Sequence, residues 1–96
     1  MPSETNKASV EVEITNPEGL HARPVMAFVD LASRYAATIK VCNQTKRGEF
    51  VDDKSAMQMT LLEGTQGCVL LIEAEGPDAA EASEALASLV RSGFSS

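Results

Sequence analysis

Tryptophan is missing from this chain, and three phenylalanines and one tyrosine are its only other aromatic side chains. Positive charge is also in short supply: eight Lys and Arg stand against fourteen Asp and Glu, for a formal net charge of −6. An acidic surface without a basic block or interleaved aromatics repels a phosphate backbone, which argues against nucleic-acid binding. Cysteine is scarce as well. Cys42 and Cys68 lie far apart, with no Cys or His at metal-ligand spacing, so neither a metal site nor a disulfide framework is indicated and both read as reduced thiols. A redox pair would require the two strands that carry them to lie side by side. No apolar run approaches the length of a membrane span, and residues 1–8 have no apolar signal core, so membrane insertion is not expected and the expected location is the cytoplasm.

What is present has the balance of a globular protein, with 44% hydrophobic and 23% charged residues spread along 96 positions. That length supports one domain over 1–96, with a core over about 8–92 and short tails, residues 92–96 reading as frayed. Val10, Val12 and Ile14 alternate with Glu11 and Glu13, the period of a half-buried strand over 9–15. Turn residues 16–19 follow. Val25, Phe28, Val29, Ala32 and Tyr35 then recur at helical spacing and predict a helix over 22–35. Residues 38–43 and 49–52 read as a hairpin, and Ser55 opens a short helical stretch through Met59 and Leu62. The most apolar strand, 68–75, is expected at the centre of the sheet. Gly76 and Pro77 set up a last helix, proline being tolerated in a first helical turn, with Ala79, Ala82, Leu86, Leu89 and Val90 as its buried stripe. The order β-α-β-β-α-β-α predicts an α+β fold: one antiparallel sheet with its helices on a single face.

The segment Gly19-Leu20-His21-Ala22-Arg23-Pro24 puts the chain's one histidine where a loop becomes a helix. First-turn N–H groups lack intrahelical acceptors and, with the macrodipole, favour an anion; those of Ala22 and Arg23 fall in that turn. A neutral imidazole is nucleophilic towards phosphorus and titrates near neutral pH, so it can take up a phosphoryl group and release it. Arg23 offers a guanidinium fork to phosphate oxygens, and Pro24 fixes the helix start. Ser55 with Gln58 three residues on has the spacing of a capping box, so its hydroxyl can serve the helix that it opens. Met59 and Leu62 have core spacing. No cofactor motif, metal cluster or second catalytic base accompanies His21, which points to a phosphoryl-transfer intermediate completed by its partners, not a stand-alone catalyst.

On these residues the sequence resembles the HPr phosphocarriers of the phosphoenolpyruvate-dependent phosphotransferase system. Lys54-Ser55-Ala56-Met57, Gly67, and Gly76 ahead of an alanine-rich last helix extend the likeness over nearly the whole domain. The resemblance implies an open-faced β-sandwich, a four-stranded antiparallel sheet with three helices on one face. It implies that His21 is phosphorylated on Nδ1 by Enzyme I and discharged onto sugar-specific IIA domains, with Arg23 assisting and no cofactor. It further implies a regulatory phosphorylation of Ser55 by an HPr kinase and an exposed docking patch that includes Met57; a monomer is the expected state. Gln58 stands where many relatives have glycine, Asp30 and Ser33 occupy positions that are often basic, and residues 45–53 form a longer segment than usual, all of which bear on partner choice. A regulatory paralogue that docks to a kinase or transcription regulator is the alternative, and a small-molecule-binding α+β domain would leave the His-Ala-Arg-Pro arrangement without a reason.

Overall fold

The computed structural model describes residues 6–94. Strand β1 (Lys7–Glu13) leads through a turn to helix α1 (Ala22–Ala32), followed by β2 (Thr38–Asn43), β3 (Val51–Asp52), the short helix α2 (Ala56–Thr60), β4 (Val69–Glu75) and α3 (Ala79–Arg91). The strands form one antiparallel sheet in the order β1-β4-β2-β3. The most apolar strand, β4, is thus interior, flanked by β1 and β2. Val10 faces Ile72, which in turn faces Val41, and Val12, Leu70 and Asn43 form the next row.

Because side chains alternate across a strand, these rows share one face, and that face carries the core. Val12, Ile39, Val41, Leu70, Ile72 and Ala74 are buried there beneath Val25, Phe28 and Ala32 of α1 and Ala79, Ala82, Leu86, Leu89 and Val90 of α3. α3 packs across β1 and β4, while α1 lies against α3 and α2. The opposite face carries rows of polar and charged residues, such as Ser9, Glu73 and Lys40. An open-faced sandwich results, as the sequence pattern and the resemblance predict. Asn43 is buried on the core face, and its amide is used on both sides: Nδ2 donates to the Leu62 carbonyl and Oδ1 accepts from the Lys46 N–H.

Several element ends differ from expectation. α1 stops at Ala32, not Tyr35, because distant side chains take hold of the chain just beyond it. The Asp78 carboxylate accepts the Ala36 and Ala37 N–H groups, both at 2.8 Å, and Lys54 Nζ donates to the Tyr35 carbonyl at 2.8 Å. The Ala36 amide, helped by that of Ala37, holds the Asp78 carboxyl below its ordinary range. Asp78 is also the N-cap of α3, and with its side chain engaged elsewhere it makes no cap bond; α3 begins at Ala79, so Pro77 precedes the helix instead of occupying its first turn. β1 begins and ends two residues early, although Ile14 continues the pairing through its N–H to the Cys68 carbonyl and its carbonyl to the Gly67 N–H. β3 keeps only two residues, and α2 ends at Thr60. The strand bearing Cys42 does lie beside β4, but the register sets Cys42 opposite Leu71 on the polar face, whereas Cys68 joins the core cluster, and both thiols are free. Burial is the main reason that the Cys42 thiol is pushed above its ordinary range.

Residues 92–94, the first part of the expected tail, are hydrogen-bonded to the end of α3. The Gly93 N–H donates to the Val90 carbonyl and the Phe94 N–H to the Leu89 carbonyl, with Gly93 at φ +71°, a helix-ending motif in which the glycine adopts the left-handed turn. Residues 95–96 of the expected tail, like 1–5 at the other end, lie outside the described residues.

Candidate functional site

The loop before α1 is built to present one side chain. The Gly19 N–H donates to the Asn16 carbonyl and Asn16 Nδ2 donates back to the Gly19 carbonyl at 2.9 Å, closing a turn around Pro17 and Glu18. Gly19 sits at φ +67°, and a Cβ there would lie 2.5 Å from the Gly64 carbonyl oxygen. That same oxygen accepts the Leu20 N–H at 2.8 Å, so the loop can be this close only because residue 19 has no side chain.

His21 follows as the N-cap of α1, with extended backbone at φ −118°, ψ −167°. Its carbonyl accepts the Val25 N–H, the first intrahelical bond. Its ring makes no cap hydrogen bond and is exposed, as are Ala22 and Arg23. The N–H groups of Ala22 and Arg23 therefore have no intrahelical acceptor, and Pro24 has no N–H to offer. No acidic residue occupies the first turn of α1 to oppose an incoming anion. Among the described residues no salt bridge engages Arg23, so its guanidinium can turn to a ligand. A shallow cavity of about 520 Å³ brings together the loop residues Asn16 and Glu18, the His21–Pro24 turn, and Phe94 from beyond α3. An anion at this site would meet two amides, the positive end of a helix and one guanidinium beside an exposed imidazole.

Ser55 and Met57 do not line this cavity. Ser55 is the half-buried N-cap of α2, and its Oγ accepts the Gln58 N–H at 3.3 Å. The returning arm of the capping box goes elsewhere: Gln58 Oε1 accepts the Asp52 N–H, while the Ser55 N–H donates to the Asp52 carbonyl. Met57 is 80% exposed and Leu61 68%, whereas Met59 and Leu62 are buried in the core.

Two features escape a reading of the sequence alone. Phe94 joins the cavity wall, and the Gly93-Phe94 pair that ends α3 was the available signal. Asp53 is fully buried with neither carboxylate oxygen hydrogen-bonded, and nothing in its neighbourhood in sequence marks it out. Among the described residues no group of three or more potential metal ligands occurs, and no helix is long and apolar enough to cross a membrane.

Fold and site together define a small open-faced α+β sandwich that exposes a histidine at the uncapped start of its first helix. The chain belongs to the HPr family of phosphotransferase-system phosphocarriers: residues 8–92 match the family described as PTS HPr component phosphorylation site. It is 41% identical over 80 residues to the phosphocarrier protein HPr of Vibrio cholerae, covering 83% of this chain and 91% of that one. It is 39% identical over 81 residues to a multiphosphoryl transfer protein of Haemophilus influenzae, covering 84% of this chain but only 16% of that longer protein. The crystal structure of HPr-C-His from Thermoanaerobacter tengcongensis superposes with a TM-score of 0.83 at 41% identity, covering 91% of this chain and 94% of that one.

Proposed function

We propose that this chain, as a single domain, accepts a phosphoryl group on His21 from phosphoenolpyruvate by way of Enzyme I and delivers it to IIA domains in the cytoplasm. The observation that carries the reading is the exposed His21 ring at a helix start whose Ala22 and Arg23 amides have no intrahelical acceptor. The imidazole nitrogen attacks phosphorus as the donor's bond to phosphorus breaks. On delivery the N–P bond breaks, its electron pair returns to the ring, and the acceptor's nucleophile takes the phosphoryl group. The helix end and Arg23 offset charge on the group in transit. The exposed Met57 and Leu61 supply an adaptable apolar surface for docking, methionine suiting a face that must fit several partners. Ser55, at the start of α2, is the proposed target of a regulatory kinase, its modified form altering docking to partners or to a transcription regulator. The carrier acts as a monomer.

Purified protein mixed with Enzyme I and labelled phosphoenolpyruvate should gain acid-labile label, and His21→Ala should gain none. Label persisting on that variant would refute the assignment. Arg23→Ala should keep an unchanged circular dichroism spectrum and transfer about tenfold more slowly, the loss of one charge-assisted pairing.

A further inference from the structure

The cavity around His21 contains a charge that a phosphate site has no use for. Glu18 lines it together with His21 and Arg23, and among the described residues it is the only carboxylate there. The position is fixed by the backbone: Glu18 is a central residue of the turn closed by Asn16 and Gly19, and Gly19 in turn is pressed against Gly64. Among the described residues no salt bridge engages Glu18, so its carboxylate is not tied up in an ion pair. With His21 neutral, the side-chain charges of the described residues lining the cavity sum to zero, one from Glu18 and one from Arg23, and a dianionic phosphoryl group arriving there makes the site negative.

We infer that Glu18 sets how readily phosphorylated His21 gives up its phosphoryl group, raising the energy of the loaded state by like-charge repulsion. The inference rests on the carrier reading of His21 and deepens it. Repulsion that is present in the loaded state and relieved as phosphorus leaves favours departure, because only a difference between ground and transition states changes a rate. In a loose phosphoryl-transfer transition state the N–P bond is largely broken, its electron pair has returned to the ring, and the phosphoryl oxygens carry less negative charge and are moving away, so their repulsion by Glu18 weakens before the acceptor's bond is formed. Arg23 and the helix end hold the group; Glu18 keeps it from being held too well. A carrier must be loaded and emptied by proteins in turn, and a site of purely positive potential would favour only the first step.

The test avoids Enzyme I. The intact protein is loaded chemically with phosphoramidate, and loss of the phosphohistidine 31P signal is followed in water for wild type, Glu18→Gln and Glu18→Asp. Because Glu18 is exposed, all three should fold alike, which circular dichroism checks. At low ionic strength Glu18→Gln should lose its phosphoryl group about threefold more slowly than wild type, the size expected of an exposed charge pair, and Glu18→Asp should restore the wild-type rate. At 1 M salt, where screening acts within about 3 Å, the difference between wild type and Glu18→Gln should shrink towards nothing. Equal rates at low salt, a difference that survives at high salt, or a failure of aspartate to restore the rate would each overturn the inference while leaving His21 as the carrier. No phosphohistidine signal on the wild-type protein would overturn both.

Discussion

Helices α1 and α2 start alike in the backbone and unlike in what their first residues do. Each N-cap is extended, His21 at φ −118° and Ser55 at φ −112°. Ser55 turns its hydroxyl back onto the Gln58 N–H and satisfies a donor of its own helix. His21 makes no such bond, and its helix leaves the amides of Ala22 and Arg23 without intrahelical acceptors. A capped start contributes to stability, while an uncapped one forgoes that contribution and keeps its donors available to something that comes and goes. The start of α3 is a third case: Asp78 has a good capping side chain but spends it on Ala36 and Ala37, closing the loop after α1. The open start of α1 is therefore positioned by the loop before it and by the tethers beyond its far end, not by a cap.

The largest break in that contrast should come from the loop that supports the open start. Gly19→Ala would force an L-residue to φ +67° and set its Cβ 2.5 Å from a backbone oxygen that cannot swing aside. Separation of the two segments would also strain the Leu20 to Gly64 hydrogen bond that sets the height of His21. We expect a loss of about 3 kcal/mol in urea unfolding, the sum of a left-handed backbone cost and a steric one, together with at least about tenfold slower loading from Enzyme I. A variant as stable and as active as wild type would show that His21 does not depend on this close approach.

The next effect tests the closed start. Asp53, two residues before Ser55, is buried with both oxygens unpartnered, and its carboxyl is pushed up from 3.8 to about 7, first by burial, then by the charge of Asp52, with Lys54 opposing. The folded protein thus holds this proton more tightly than the unfolded chain does. Its contribution to stability falls as pH rises from about 4 to about 7 and stays at its low value above that range. Asp53→Asn removes the titration. It should flatten that part of the pH dependence and raise stability at pH 8 by about 2 kcal/mol, allowing for the cost of an asparagine amide that is itself buried without partners. Urea unfolding at pH 5 and pH 8 measures both quantities, and an unchanged slope in the variant would sink the argument.

What could be read from the sequence follows the range of the interactions involved. The strand alternation, the helical stripes and the placement of His21 and Arg23 at a helix start depend on residues a few positions apart, and the structure has them where the pattern puts them. The resemblance to the HPr family was legible for the same reason, being carried by short segments. The end of α1 was not, because the groups that stop it, Lys54 and Asp78, lie 19 and about 40 residues further on. Asp53 escaped because its burial is a property of how β3 and α2 pack, and an Asp-Asp-Lys run reads as a solvated turn. The turn at residues 92–94 is a different case: a glycine after a helical stripe is a local signal for a helix end, whereas the place of Phe94 in the cavity wall depends on how α3 packs beside α1.

The smallest effect separates the two helix starts most directly. Ser55→Ala deletes the one side-chain cap on α2 without touching the cavity around His21, which neither Ser55 nor Met57 lines. If the cap serves its own helix alone, stability should drop by about 1 kcal/mol, the usual cost of losing a serine N-cap, and loading of His21 by Enzyme I should stay within about twofold of wild type. Phosphorylation of Ser55 would act on the same helix with the opposite sign, since added negative charge is favoured at a helix N-terminus. The modified protein should therefore unfold at no lower a urea concentration than the unmodified one, and any slowing of transfer must arise at the docking face around Met57. A Ser55→Ala variant that loses loading in proportion to its stability would instead mean that the two helix starts act as one unit through the contact between α1 and α2.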